Sequence, residues 1–247
     1  MAPLRVFVGW DPREKIAYQV CRWSLQAHSS IPIKIILIKQ ADMRNRGLYW
    51  KSLDPLSSTE FSFTRFSIPY LTHFRGWAVI VDCDFLFRKD VAGLLDYRDP
   101  SKALYCVQHN YVPDERLKMS GQRQTLYPRK NWSSFMLINC GHEQVLSLTP
   151  DTVNRTSGLY LHRFQWLTDD VIGSLPVTWN YLEGWHTAAD CEDPIAIHFT
   201  RGGPWLEEYQ AVDYAQEWTS TANNLGVTAT HMNRGRQVTH AVQASLH

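Results

Sequence analysis

The sequence predicts an α/β protein in which a mostly parallel central sheet is flanked by helices. Three observations carry this expectation. A strand–helix–strand pattern fills residues 4–38, which implies parallel strands joined by a right-handed crossover. A second apolar run, residues 77–87, reads as a buried strand that delivers the paired acids Asp82 and Asp84. The chain has 247 residues, of which 44% are hydrophobic, enough for one large domain with a substantial core.

Taken in order, Leu4 to Gly9 is a short apolar run and reads as the first strand. Asp11-Pro12 is a turn and helix-start signal. Ile16, Ala17, Val20, Cys21 and Leu25 then recur at helical spacing through Glu14 to His28. Ile33 to Ile38 is rich in β-branched residues and bounded by Pro32, so it reads as a strand. Residues 40–58 look irregular, with a turn at Asp54-Pro55. Phe61 to Phe74 places Phe63, Phe66, Ser67 and Tyr70 on one helical face, with Pro69 as a kink or terminus. Val79 to Val81, Ala103 to Gln108 and Ser134 to Asn139 are the next strands. The polar, basic stretch Tyr111 to Lys130 is too long for an ordinary connection, and such loops are functional or mobile. Gly141 to Leu148 reads as a helix ended by Pro150, and Thr168 as the N-cap of another. Ile195 to Phe199 is a last short strand running into Gly202-Gly203-Pro204. The expected organisation is one domain over residues 1–206. A C-terminal helix and tail, 207–247, would pack on it or extend from it.

Charged residues make up 20% of the chain and the formal net charge is +1, a balance that argues against nucleic acid or an anionic membrane as partner. No apolar run approaches the roughly 20 residues that span a bilayer. Cys21, Cys83, Cys106, Cys140 and Cys191 are odd in number and scattered, so they read as core residues in a reducing compartment. Met1-Ala2-Pro3 passes straight into a strand pattern, leaving no room for a signal peptide, and a cytoplasmic protein is expected. Ten tryptophans exceed what such a core needs and point to stacking against a flat ligand such as a sugar.

Residues two apart on a strand face the same way, so Asp82 and Asp84 at a strand end suit a hard divalent cation, which can in turn hold a diphosphate. Fifteen aspartates in 247 residues give about one Asp-x-Asp by chance. The bland reading is a solvated strand end, and context has to decide. His198, after Ile195-Ala196-Ile197, is either a satisfied structural histidine or a third ligand. Trp10 and Asp11 stand where a first strand meets its helix, a general place for nucleotides in open α/β sheets; the competing reading is a plain helix cap. Arg65 reads equally as a contact to an anionic ligand or as the ion-pair partner of a carboxylate at the core's edge.

Several stretches occur in the order seen in one family. These are Val6-Phe7-Val8-Gly9-Trp10-Asp11 with Tyr18, Phe63-Thr64-Arg65-Phe66 with Pro69, and Val81-Asp82-Cys83-Asp84. Ser134-Phe135-Met136-Leu137-Ile138-Asn139, Thr168-Asp169-Asp170-Val171-Ile172, and His198-Phe199-Thr200-Arg201-Gly202-Gly203-Pro204-Trp205 follow. The chain resembles the GT-A-fold glycosyltransferases, most closely the retaining family eight that includes glycogenin and bacterial galactosyltransferases of lipopolysaccharide synthesis. The resemblance spans about residues 4–205 and implies a GT-A, Rossmann-like sheet. It also implies transfer of a sugar, with retention, from a nucleotide sugar (most commonly a UDP-hexose) to an acceptor hydroxyl, assisted by Mn²⁺ or Mg²⁺.

By that resemblance Asp82, Asp84 and His198 hold the metal, and the imidazole tilts the choice toward Mn²⁺. Val8, Gly9, Trp10, Asp11 and Tyr18 shape a uracil and ribose pocket, while Arg65, Cys83, Asn131, Arg201, Gly202 and Gly203 line the rest of the donor. Asp169 or Asp170 meets the sugar as nucleophile or as stabiliser of an oxocarbenium-like state, although both also suit a helix N-terminus electrostatically. The sequence departs from the family's pattern in three places. The late lysine is absent, with Arg201 offered in its place. Asp169-Asp170-Val171 stands where Asp-Gln-Asp is usual. Trp132 occupies a position that is often a sugar-contacting Asn, with Asn131 one step earlier. The basic run Arg116, Lys118, Arg123, Arg129 and Lys130 reads as a solvated face or as a lid over a diphosphate. An inverting transferase and a non-catalytic carbohydrate-binding protein are the rival readings. The acceptor (glycan, lipid-linked or protein) and the oligomeric state are open.

Overall fold

The computed structural model describes residues 2–52, 59–110 and 128–226, together with the backbone of 117–118 and 122–123. The turn expected at Asp54-Pro55, most of the basic loop and the tail beyond residue 226 lie outside the described residues. The strands are β1 (Leu4–Gly9), β2 (Ile33–Ile38), β3 (Trp77–Val81), β4 (Phe85–Phe87), β5 (Leu104–Val107), β6 (Leu117–Lys118), β7 (Gln122–Arg123), β8 (Phe135–Asn139), β9 (Ile172–Leu175), β10 (Tyr181–Leu182) and β11 (Ala196–His198). The helices are α1 (Lys15–Ala27), α2 (Gln40–Asn45), α3 (Ile68–Leu71), α4 (Pro150–Arg155), α5 (Gly158–His162) and α6 (Ala215–Asn224).

A six-stranded sheet runs in the order β2-β1-β3-β8-β5-β9. β1 is parallel to β2 and β3, and β5 to β9, while β8 runs antiparallel to both of its neighbours. The expected α/β class and mostly parallel, helix-flanked sheet are therefore present, with one reversed strand in the middle. A second sheet, β10-β11-β4, stands beside it. Alternation of side chains divides the core in two, as the pleat requires. Ala78, Ile80, Met136 and Ile138 face one apolar layer. Val79, Val81, Phe135 and Leu137 face the other. α1 buries Ala17, Val20, Cys21, Ser24 and Leu25, one helical stripe, and divides them between the main core and a third cluster with Trp205 and Trp218.

Several local expectations are refined or changed. The run 77–87 is not one strand: it turns at Asp82-Cys83-Asp84 and continues as β4 in the other sheet. Part of the irregular stretch after residue 39 is helical, as α2. Pro69 is a start, sitting in the first turn of α3 after a 3-10 turn at Thr64–Ser67. Pro150 likewise begins α4, with the Thr149 hydroxyl accepting from the N–H of Thr152. A first-turn residue has no helical partner for its N–H, so proline loses nothing there. Thr168 opens only a 3-10 turn, Asp169–Val171, before β9. That strand lacks an apolar signature because Gly173 must be small: a Cβ there would lie 2.2 Å from the Tyr105 ring. The C-terminal helix is α6, later than residue 207, and it buries Trp218 on the third cluster.

Candidate metal centre and its surroundings

β3 reaches the C-terminal edge of the large sheet at Val81, level with Phe135 of β8 and Val8 of β1. The N–H of Asp82 extends the β3–β8 pairing by donating to the Ser134 carbonyl at 3.0 Å. Asp84 belongs to the other sheet, where its carbonyl accepts from the N–H of Phe199 at 3.0 Å, beside the β11–β4 pair His198 and Phe85. The two acids therefore converge because the chain turns between two sheets, not because one strand alternates. The ligand atoms of Asp82, Asp84 and His198 all lie within 4.8 Å of one another. His198 Nε2 is 3.4 Å from Asp84 Oδ2. Its ring stacks on Phe85 at 4.3 Å, and its Nδ1 is 3.1 Å from Asn180 Oδ1.

Arg65 closes the inner side. Its Nη1 is 2.7 Å from Asp82 Oδ1, its Nη2 donates to Asp82 Oδ2 at 3.3 Å, and Nη1 also donates to the Ser133 carbonyl at 2.9 Å. The ion-pair reading of Arg65 is what the geometry realises. Burial, with the charge of Asp84 adding to it, pushes Asp82 up to about 6 against the pull of Arg65 and His198. Glu14 is pushed up to about 8, first by burial and then by Asp84, and accepts from the Cys83 thiol at 3.2 Å. Two carboxylates crowded in a low-dielectric edge, with one imidazole, are the donor chemistry of a Mn²⁺ or Mg²⁺ site, and these residues fit such an ion.

The other expected residues divide. Trp10 and Tyr18 meet edge-on at 5.2 Å at the end of β1, with Lys39 Nζ 5.1 Å from the Trp10 ring centre. Asp11 is fully buried and committed to structure. It accepts from Arg13 Nε at 2.8 Å and Nη2 at 2.6 Å, and from the N–H groups of Arg13 and Glu60. Val8 and Gly9 are its strand-end neighbours. Arg201 lies 3.8 Å from Glu183, and Gly202 and Gly203 form the turn after β11, where the N–H of Gly202 donates to the Phe199 carbonyl. Asn131 takes a left-handed conformation (φ 65°), and its side-chain nitrogen is buried without a hydrogen-bond partner among the described residues.

Asp169 and Asp170 are not brought to the acid pair. Ile172 of β9 is level with Leu104, and Leu104 with Ile138 near the far end of β8, so these aspartates precede the sheet's opposite edge. Asp169 is 83% exposed and pairs with Arg129 at 2.5 Å; the Asp170 carbonyl accepts from Lys102. Of the basic run, Arg129 is used in that pair, Lys130 is buried, and the side chains of Arg116, Lys118 and Arg123 lie outside the described residues. Trp166, Trp179, Trp205 and Trp218 are core residues, leaving Trp50 and Trp185 as the well-exposed ones among those described.

Two neighbours carried no sequence signal. Asn180, an isolated amide between aromatic residues, holds His198. His109, just past β5, is buried with neither ring nitrogen hydrogen-bonded among the described residues, 5.3 Å from the His186 ring. Burial, helped by His186 and His198, pushes it down to about 2.

No family model matches the sequence. The chain is 51% identical over 219 residues to Protein CDI of Arabidopsis thaliana, an alignment that covers 87% of this chain and 85% of that protein. Its fold is similar to that of the bifunctional glycosyltransferase WbbM (TM-score 0.64, 13% identity, 94% of this chain). It is also similar to the glycosyltransferase GlyE of Streptococcus pneumoniae TIGR4 (TM-score 0.58, 16% identity, 97% of this chain). The galactosyltransferase LgtC, solved with donor and acceptor sugar analogues, matches with a TM-score of 0.54 at 12% identity, over 90% of this chain and 96% of that one. The chain spans 51% of the WbbM structure and 64% of GlyE. At these identities the likeness is one of fold. The chain has the GT-A glycosyltransferase fold and belongs to the family of Protein CDI.

Proposed function

We propose that this protein is a metal-dependent glycosyltransferase that moves a sugar from a nucleotide sugar, a UDP-hexose in the first instance, to an acceptor hydroxyl. The observation that carries the reading is the convergence of Asp82, Asp84 and His198 on one spot at the C-terminal edge of the sheet. That edge is where open α/β sheets take nucleotides. When bound, a divalent cation would neutralise the diphosphate as it leaves. Asp82, Asp84 and His198 would hold that ion in place, and Arg65 orients Asp82 and favours its ionised form. Trp10 and Tyr18, at the end of β1, offer aromatic faces to the base. In this reading Asp11 is a structural cap, and Asp169 and Asp170 take no part in the chemistry. Retention of the anomeric configuration is the outcome the resemblance implies, and NMR of the product anomer decides it. The five free cysteines, four of them buried, support a reducing, cytoplasmic setting.

The test is calorimetry with UDP. Binding should strengthen with Mn²⁺ and vanish in the Asp82→Ala, Asp84→Ala double variant. UDP binding that ignores the metal overturns the reading. A panel of UDP-sugars, followed by slow release of free sugar to water, then separates a transferase from a carbohydrate-binding relative.

A further inference from the structure

The geometry points to a buried hydrogen-bond relay, Asn131 carbonyl–Ser134–Asn180, that fixes the proton of His198 on Nδ1 and presents the Nε2 lone pair to a cation between Asp82 and Asp84. This rests on the metal-centre reading above and adds the residues that set the ligand.

Each hydrogen in the relay follows from the one before. The Asn131 carbonyl can only accept, and Ser134 Oγ lies 2.6 Å from it, so the serine proton points there. Asn180 sits 2.9 Å from the same serine oxygen, which therefore accepts and must face the amide nitrogen. That orientation turns Asn180 Oδ1 toward His198 Nδ1, 3.1 Å away. An amide oxygen can only accept, so the imidazole donates from Nδ1. Nε2 is then the nitrogen that faces Asp84, 3.4 Å away. Solvent has little access to the relay, because Asn180 is fully buried, His198 is 2% exposed and Ser134 is 3% exposed. Phe85, stacked 4.3 Å from His198, holds the ring plane while the relay sets its edge.

The relay begins at Asn131, whose left-handed backbone (φ 65°) aims its carbonyl at Ser134. It also continues the elements that place the acids, since Ser134 provides the carbonyl that receives the N–H of Asp82. An amide rather than a carboxylate behind the imidazole adds no negative charge, so within the ligand set that charge comes from the two aspartates. Partners behind a ligating histidine change metal affinity about 10- to 100-fold when removed.

The experiment uses the full chain, labelled with ¹⁵N-histidine and free of metal. Imidazole NMR, with His198 identified by the signal lost in His198→Gln, should show the proton on Nδ1. Mn²⁺ titration followed by EPR should then show Ser134→Ala binding about tenfold more weakly than the parent. Ser134→Thr, which keeps the hydroxyl, should restore both the affinity and the Nδ1–H signature. Asn180→Asp serves as a second probe: a carboxylate there should keep the proton on Nδ1 and preserve Mn²⁺ binding. An Nδ1 that carries no proton in the metal-free parent overturns the inference, as does unchanged Mn²⁺ affinity in Ser134→Ala. A parent that takes up no Mn²⁺ overturns it through its premise, and the NMR arm shows whether the relay itself was read correctly.

Discussion

Removing the Arg65 guanidinium tests the electrostatics of the acid pair directly. Arg65 is 5% exposed, and its charge is spent on Asp82 at 2.7 Å and on the Ser133 carbonyl. Arg65→Met keeps much of the volume but leaves Asp82 and Asp84 facing each other without that cation. Breaking a buried pair by removing one partner costs about 3–5 kcal/mol. Both carboxylates are slightly open to solvent, at 14% and 15%, so the lower end, about 3 kcal/mol, is expected. For a chain of this size that corresponds to a fall in Tm of about 6–12 °C. The sign of the pH dependence follows from Asp82, whose folded pKa of about 6 lies above its ordinary 3.8. Its contribution is fully present below the unfolded value and is lost as pH rises through the folded one. In the variant the folded value moves higher still, so the deficit should be largest near neutral pH and shrink toward pH 5. Saturating Mn²⁺ should also reduce it, because the ion replaces the missing charge. Calorimetric melts of parent and variant, with and without Mn²⁺ at both pH values, read all three effects. A drop that is the same at every pH and indifferent to Mn²⁺ would refute the reasoning, since it would mark a packing loss.

Three further perturbations follow from particular contacts. Gly9→Ala places a Cβ 2.5 Å from the ring of the buried Phe61, so thermal melts should show a loss of about 1–3 kcal/mol that Phe61→Leu partly relieves; an unchanged Tm counts against the packing described. Asp169→Asn and Asp170→Asn should each change stability by less than about 0.5 kcal/mol and leave Mn²⁺-dependent UDP binding intact, because both lie at the far edge of the sheet; a loss of that binding contradicts this placement. His109 is held neutral down to about 2, well below its ordinary 6.5, so its contribution is present above 6.5 and lost as pH falls. Urea unfolding of His109→Phe should therefore gain on the parent by about 2 kcal/mol between pH 6.5 and 5, and a pH-independent difference would dismiss the buried neutral ring.

What could be read in the sequence depended on whether the signal was local. β1, α1 and β2 declare themselves through periodicity, and Asp82 and Asp84 through spacing. β9 does not, because Gly173 gives way to Tyr105, a contact 68 positions earlier in the chain. Pro69 and Pro150 were ambiguous because proline suits both the start of a helix and the residue after its end. Asp169 and Asp170 matched a motif by order, yet only the strand register tells which edge of the sheet they reach. Asn180 and His109 matter through neighbours brought in by tertiary packing. Neither has a pattern that a single sequence reveals.

Asp82 follows a strand of one sheet, while Asp84 precedes one strand of another and His198 ends a second. A bound cation would thus act as a rivet across that seam, joining two sheets that already share one apolar cluster. Because its three donors come from both sides of the seam, such an ion would report on the registry of the two sheets, and its affinity would fall with any change that shifts one against the other.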